Sequence, residues 1–289
     1  MTGFSGIWVP LATPFLHGEL DIQSLQALAR RLRASGVAGL VVCGSTGEAA
    51  SLGDDEQMAA LDAVIEAVPD CPVIMGLAGN NMRAVLTKLE QVQRRRIAGI
   101  LAPAPYYIRP SQSGVAEYFE TLANASSVPL VLYNIPYRTG VAMEFDTIAR
   151  IALHERVTAI KDCGGDLGLT MRLIAETRLQ VLAGEDAQLL STLALGGSGC
   201  IAASAHVRAD LFVRIFELMR AREIDEARVL FYHLLPMIRL IFREPNPGPL
   251  KAALAMMGWM TNALRMPMQT ASAELEEHIR KELIRLECM

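Results

Sequence analysis

Long apolar runs are missing from this sequence: none approaches the roughly 20 residues a membrane helix needs. Residues 1–10 carry no basic stretch leading into an apolar one, so no secretory signal is expected and the expected location is the cytoplasm. Cysteine is sparse. Cys43, Cys71, Cys163, Cys200 and Cys288 are odd in number and none sit at metal-ligand spacing, which argues against a disulfide framework and reads as reduced thiols. The five histidines, His17, His154, His206, His233 and His278, are scattered without a two-His helical motif, so no metal site and no metal-dependent chemistry is expected. Charged residues make up only 20% and the formal charge is −4. That balance carries no nucleic-acid footprint, and Arg94, Arg95 and Arg96 read as a solvated helix end.

What is present is apolar surface, 52% of residues, ample for a large core and incompatible with disorder. Lysine occurs four times. Lys88, Lys251 and Lys281 lie in helix-like stretches, where an amine is expected to reach water. Lys161 alone closes an apolar, β-branched run (V-T-A-I-K-D-C-G-G, 157–165), with glycines following at once. Position allows two readings. The amine snorkels off a strand end, or it is stripped of water, its pKa pushed down from about 10.4, and serves as a Schiff-base nucleophile.

Apolar runs recur at 7–11, 40–43, 73–75, 100–102, 130–133, 157–161, 181–183 and 200–202. Between them lie stretches of helical periodicity: Leu25, Leu28 and Leu32 after a cap at Asp21 or Ser24, then 54–68, 81–97, 112–126, 144–153, 167–177 and 186–195. Strands without alternation, each followed by a helix, imply parallel strands buried on both faces. Eight such units predict an α/β protein, a (β/α)8 TIM barrel, with a doubly wound open sheet as the alternative. After Ala203 strand signals stop, and helices broken at 244–249 follow. The expected division is a barrel over 1–207, or to about 222 if the last barrel helix is longer, and a C-terminal helical extension over 208–289.

Active sites of such barrels are built at the C-terminal ends of the strands. There this chain carries Gly44-Ser-Thr-Gly-Glu48, Tyr106-Tyr107, Tyr133-Asn134, Arg138-Thr139-Gly140, Lys161-Asp162 and Gly184-Glu185-Asp186. Singly, each reads as a turn, a core aromatic or a surface charge. Together a lysine, tyrosines, hydroxyls and an arginine form one reaction-capable set.

These residues also carry a resemblance over essentially the whole chain. A-T-P-F (12–15), G-S-T-G-E (44–48), P-Y-Y-I-R-P-S-Q (105–112), Y-N-I-P-Y-R-T-G (133–140), I-K-D (160–162), A-G-E-D (183–186), G-G-S-G (196–199) and E-P-N-P-G-P-L-K (244–251) resemble, in order, the motifs of the dihydrodipicolinate synthase and N-acetylneuraminate lyase family, the pyruvate-dependent class I aldolases. The resemblance implies a barrel with a C-terminal helical domain, a homotetramer, and no cofactor. It implies Lys161 as the imine-forming lysine and Tyr133 as general acid/base, tuned by Thr46. Tyr107 completes the relay from a neighbouring subunit. Ser45 and Thr46 bind the pyruvate carboxylate, and Gly184 and Ile201 line the pocket. Arg138 resembles the synthases' arginine for the carboxylate of aspartate semialdehyde, which favours condensation of that aldehyde with pyruvate on the route to lysine.

Several positions depart from the pattern. Ser45 stands in a usual Thr-Thr pair, I-K-D-C-G-G replaces I-K-E-A, and His206 replaces an asparagine. Aldolases with other acceptors carry I-K-D variants, which leaves a 2-keto-3-deoxy sugar acid or 4-hydroxy-2-oxo acid aldolase as the alternative, ahead of a non-catalytic binding barrel. At the positions resembling the family's lysine-effector site stand Asp54, Gln57 and Ala84, with Asn80 and Tyr106 retained, so weak or absent inhibition by lysine is expected.

Overall fold

A computed structural model describes residues 3–289. In chain order it contains β1 (Gly6–Pro10), a hairpin of β2 (Phe15–Leu16) and β3 (Glu19–Leu20), α1 (Ile22–Ala34), β4 (Gly39–Val42), α2 (Asp54–Ala67), β5 (Val73–Gly76), α3 (Met82–Val92), β6 (Gly99–Pro103), α4 (Gln112–Ala125), β7 (Leu130–Asn134), α5 (Pro136–Thr139), α6 (Phe145–Ile151), β8 (Val157–Asp162), α7 (Leu167–Glu176), β9 (Gln180–Ala183), α8 (Leu189–Ala194) and β10 (Gly199–Ile201). Helices α9 (Ala209–Arg220), α10 (Ile224–Ile241), α11 (Gly248–Met256) and α12 (Ala273–Arg285) follow. Eight strands form a closed barrel in the order β1-β10-β9-β8-β7-β6-β5-β4, the expected fold.

Local chemistry explains the elements. Strands such as β1, β4, β5 and β7 are buried at every position, which is why their sequences read as unbroken apolar runs. Asp21, rather than Ser24, caps α1: its carboxylate accepts the Ser24 N–H at 3.0 Å and the Ser24 hydroxyl at 2.6 Å. Leu25, Leu28 and Leu32 on the same helix are buried, each contributing about 1.5–3 kcal/mol of apolar transfer.

The chain divides into two compact units. One comprises residues 3–5 and Pro72–Ile201, with strands β5 to β10 and helices α3 to α8. Its strands pair in parallel, and the registers Pro103↔Tyr133, Tyr133↔Lys161 and Lys161↔Leu182 bring the ends of β6 to β9 to one level. The other comprises Gly6–Cys71 and Ala202–Met289. Here β1 and β4 pair in parallel, Val9 opposite Leu40. Its C-terminal helices bury Phe212, Ile215, Phe231, Leu234, Ile279 and Leu283. Among the described residues no helix is long and apolar enough to cross a membrane.

Candidate active site

In the unit of Pro72–Ile201, Lys161 is 6% exposed and its amine stands 4.5 Å from the centre of the Tyr133 ring, itself 6% exposed. At 6% exposure the side chain is enclosed rather than extended into solvent, against the snorkelling reading. The next residue points the other way, as strand pleating requires. The Asp162 carboxylate accepts from the Asn134 amide at 2.9 Å, the Gly164 N–H at 2.9 Å and the Thr170 hydroxyl at 3.1 Å. Asn134 in turn accepts the Met143 N–H at 3.2 Å, and its backbone carbonyl accepts from Cys163 at 2.8 Å. Asp162 is therefore a buried brace that ties the ends of β7 and β8 together, and the I-K-D departure places no carboxylate beside Lys161.

Cys163 is the departure with chemical consequence. Its thiol is 4% exposed and hydrogen-bonds with the Tyr133 side chain. Burial pushes the thiol up to about 12, against the pull of the Lys161 charge, so it stays protonated at neutral pH. Gly184 is confined by it: a Cβ there would lie 2.3 Å from Cys163 Sγ and 2.9 Å from the Asp162 carbonyl oxygen. Ile201 is buried at the end of β10.

Arg138 lies on α5, a single turn opened by Pro136 and closed by Gly140 at φ 79°. It is exposed, 6.0 Å from the Tyr137 ring, and unpaired with any carboxylate among the described residues. Tyr137 donates to Glu185 at 2.9 Å. Partial desolvation and the Glu185 charge hold its phenol above the ordinary range, although the residue is 64% exposed. Tyr107 is 88% exposed at φ 70°, and Arg109 also has positive φ. That loop is clamped: Tyr107 N–H donates to Thr139 O at 3.1 Å, Arg109 Nε to Gly140 O at 3.0 Å, and the Asn80 amide bonds both backbone groups of Tyr106. A bulky side chain is thus held outward in a left-handed conformation that the surrounding bonds sustain.

In the other unit, three sequence motifs converge. The turn 44–48 closes on itself through Gly47 N–H to Gly44 O at 3.1 Å and Glu48 N–H to Ser45 O at 3.2 Å. The Thr13 hydroxyl donates to Gly47 O at 2.7 Å. Lys251 donates to Glu48 Oε1 at 2.7 Å and to Thr13 O at 2.8 Å, and lies 4.3 Å from the Phe15 ring centre. Both members of this ion pair are almost wholly buried, at 0% and 1% exposure. Burial lowers the Lys251 pKa, opposed by Glu48. Thr46 is buried, its Oγ1 accepting from the Asn246 amide at 3.0 Å, while Ser45 is half-buried. His206, 0% exposed, accepts the Ala12 N–H on Nε2 at 3.2 Å and donates Nδ1–H to Ala203 O at 2.7 Å.

The expected solvent-reaching Lys251 is thus corrected: it is buried, because its side chain runs into Thr13, Phe15 and Glu48 from a helix buried at every position from Gly248 to Leu254. That apolar setting was the available signal. Asn246 had a signal only in its proline-rich motif. The structure joins Lys161, Tyr133, Cys163 and Gly184 in one unit, and Thr46 with Asn246 and Glu48 with Lys251 in the other. Among the described residues no group of three or more His, Cys, Asp or Glu is arranged to hold a metal.

The profile of the dihydrodipicolinate synthetase family matches residues 3–285. The chain is 37% identical to 4-hydroxy-tetrahydrodipicolinate synthase 2 of Clostridium acetobutylicum, over 96% of this chain and 99% of that one. It is 36% identical to 4-hydroxy-tetrahydrodipicolinate synthase of Haloarcula marismortui, over 98% and 94%. Among solved structures, dihydrodipicolinate synthase from Thermotoga maritima superposes with a TM-score of 0.96 at 31% identity, covering 99% of each chain. The Cyanidioschyzon merolae enzyme, solved with lysine bound, gives 0.96 at 30%, again covering 99% of each.

Proposed function

The chain belongs to the dihydrodipicolinate synthetase family, and from that membership we propose that it is a Schiff-base lyase condensing pyruvate with L-aspartate semialdehyde to 4-hydroxy-tetrahydrodipicolinate, a step of lysine biosynthesis. The observation that carries this is the buried Lys161 amine against Tyr133, 4.5 Å from its ring centre. An amine so enclosed is positioned as a nucleophile rather than a surface charge.

Lys161 Nζ adds to the keto carbon of pyruvate, and the carbonyl oxygen leaves as water. The iminium draws electrons from the methyl group, which loses a proton to become an enamine. The enamine carbon attacks the aldehyde carbon, whose oxygen takes a proton. The new amino acid's own amine then displaces Lys161 in closing the ring. Tyr133 moves these protons, with Thr46 and Tyr107 completing the relay. Ser45 and Thr46 hold the pyruvate carboxylate, Arg138 takes that of the aldehyde in a bidentate grip, and Gly184 and Ile201 line the imine pocket. The clamped, outward Tyr107 supports its presentation to a second copy, within a cytoplasmic homotetramer. On this reading 1–207 carries the reacting groups, and 208–289 supplies Asn246 and Lys251 as supports.

Borohydride reduction with pyruvate, followed by peptide mass analysis, should fix a three-carbon adduct on Lys161. A coupled assay should then show aspartate semialdehyde preferred over a panel of sugar-acid and 2-oxo-acid precursor aldehydes, with the preference lost in Arg138→Ala. Absence of the adduct overturns the reaction class; an Arg138-independent preference for another aldehyde overturns the acceptor.

A further inference from the structure

In the motif E-P-N-P-G-P-L-K at 244–251, one buried side chain uses only half of its polar chemistry. Asn246 is 7% exposed. Its Nδ2 donates to Thr46 Oγ1 at 3.0 Å, and its Oδ1 is buried with no partner among the described residues. Its neighbours in the loop are held by bonds of their own. The Glu244 carboxylate accepts the Ser272 N–H at 2.9 Å and the Ser272 hydroxyl at 2.5 Å. Pro245 O accepts from Gly248 at 3.0 Å, and Pro247 O from Lys251 at 2.9 Å. A Cβ on Gly248 would come 2.8 Å from the Gln269 carbonyl oxygen. The same segment is anchored to the 44–48 turn a second time, by the Lys251–Glu48 pair. A buried asparagine kept only to close a loop would have both halves of its amide hydrogen-bonded, since leaving one unmet is unfavourable. Here the single bond made is the one to Thr46.

That bond has a direction. A threonine hydroxyl has one proton and two lone pairs. When Nδ2–H occupies a lone pair, the Thr46 proton is turned away from Asn246 and is available for donation elsewhere. An oxygen in the same place would do the opposite, accepting that proton and withdrawing it.

We propose that Asn246 is a positioning residue that orients the Thr46 hydroxyl, holding its proton available to the acid/base relay. This deepens the proposed function and rests on it. Asn246 touches no reacting atom; it acts through Thr46.

The test is a cycle on the full-length enzyme combining Asn246→Asp, Asn246→Ala and Thr46→Val. The near-isosteric carboxylate introduced by Asn246→Asp accepts the Thr46 proton when ionised and donates again when protonated. Asn246→Asp should lower kcat about 10- to 100-fold at neutral pH, the scale of impaired proton transfer, with KM for pyruvate little changed. Activity relative to wild type should recover as pH falls through the new carboxyl group's titration. In the Thr46→Val background Asn246→Asp should add no further loss. Borohydride trapping of pyruvate on Lys161 should persist in every variant, which keeps the two failures apart: loss of trapping in wild type overturns the Schiff-base reading and this inference with it, whereas intact trapping with any of the outcomes that follow overturns this inference alone. Losses that multiply in the double variant, a pH profile parallel to wild type, or Asn246→Asp with an unaltered kcat each overturn the inference. Should Asn246→Ala unfold the loop, Asn246→Ser, which can still donate to Thr46, must retain more activity than Asn246→Asp; the reverse order also overturns it.

Discussion

Tyr133 and Lys161 are matched partners on β7 and β8, and the lysine amine lies 4.5 Å from the centre of the tyrosine ring. The ring face holds the cation, while the phenol oxygen is the group that can exchange a proton. The two contributions separate by substitution. Tyr133→Phe retains the face and should still trap pyruvate with borohydride, while turnover falls about 10²- to 10⁴-fold. Lys161→Arg keeps the charge but should lose both trapping and turnover. Wild-type turnover in Tyr133→Phe would remove Tyr133 from the proton relay.

The barrel was readable because its strands are buried on both faces and the sequence shows them as apolar runs. Lys161 was readable for the converse reason, a cation at the end of such a run. Side-chain direction was less accessible. Asp162 stands with Lys161 at a strand end in the sequence, yet its carboxylate serves Asn134, Gly164 and Thr170. Asn246 and Thr46 meet across 200 positions of sequence, a pairing that no local pattern encodes. Helix propensity does not say which face of α11 a tertiary neighbour covers, so a helical stretch alone places Lys251 in water.

Gly184 and Cys163 share one space. Gly184→Ala would bring a methyl group 2.3 Å from the thiol sulfur and 2.9 Å from the Asp162 carbonyl oxygen, and should destabilise by about 1–3 kcal/mol. Cys163→Ala, made in the same chain, removes the first clash but not the second. Urea midpoints should therefore show partial rescue. Additive losses in the double variant would mean that the sulfur is not what confines Gly184.

His206 sets a pH dependence. It is fully buried and its pKa is lowered from 6.5 to about 4, chiefly by desolvation, with Arg31 adding to it and the hydrogen bond to Ala203 opposing. The unfolded chain binds a proton near 6.5 and the folded one does not, so stability from this group is present above that value and is lost as pH falls toward 4. Between pH 7 and pH 5 the loss should be about 2 kcal/mol. His206→Asn, which keeps a donor and an acceptor but does not titrate, should flatten this part of the urea-midpoint profile. An unchanged slope would assign the acid sensitivity to other groups.

Gln57 bears on control by lysine. Its amide donates to Ala49 O at 2.9 Å and to Leu52 O at 3.1 Å, so its NH₂ group already serves its own loop. Ala84 has no carboxylate to meet an ammonium, and Asn80 is engaged with Tyr106. Millimolar lysine should leave steady-state turnover essentially unchanged. Half-inhibition at or below that range would show that other groups form an effector site.

Glu48 and Lys251 pose the sharpest stability question. The pair is dry, and each member has a further bond: Lys251 to Thr13 O at 2.8 Å, Glu48 Oε2 from the Arg265 N–H at 3.1 Å. Attraction between two buried charges is offset by their desolvation, so the intact pair need not add much net stability; an orphaned member is the larger penalty. Lys251→Met should therefore cost about 3–5 kcal/mol by leaving Glu48 buried and charged. Adding Glu48→Gln should recover part of that loss, because the charge goes while an acceptor for Arg265 remains. The catalytic readout should diverge from the stability readout. With the ion pair gone, the 44–48 turn retains, among the described residues, only the Asn246 bond to the 244–251 segment, so KM for pyruvate should be raised in the double variant even where the urea midpoint recovers. A double variant as unstable as the sum of its parts would show that Lys251 contributes through packing on Phe15 rather than through its charge.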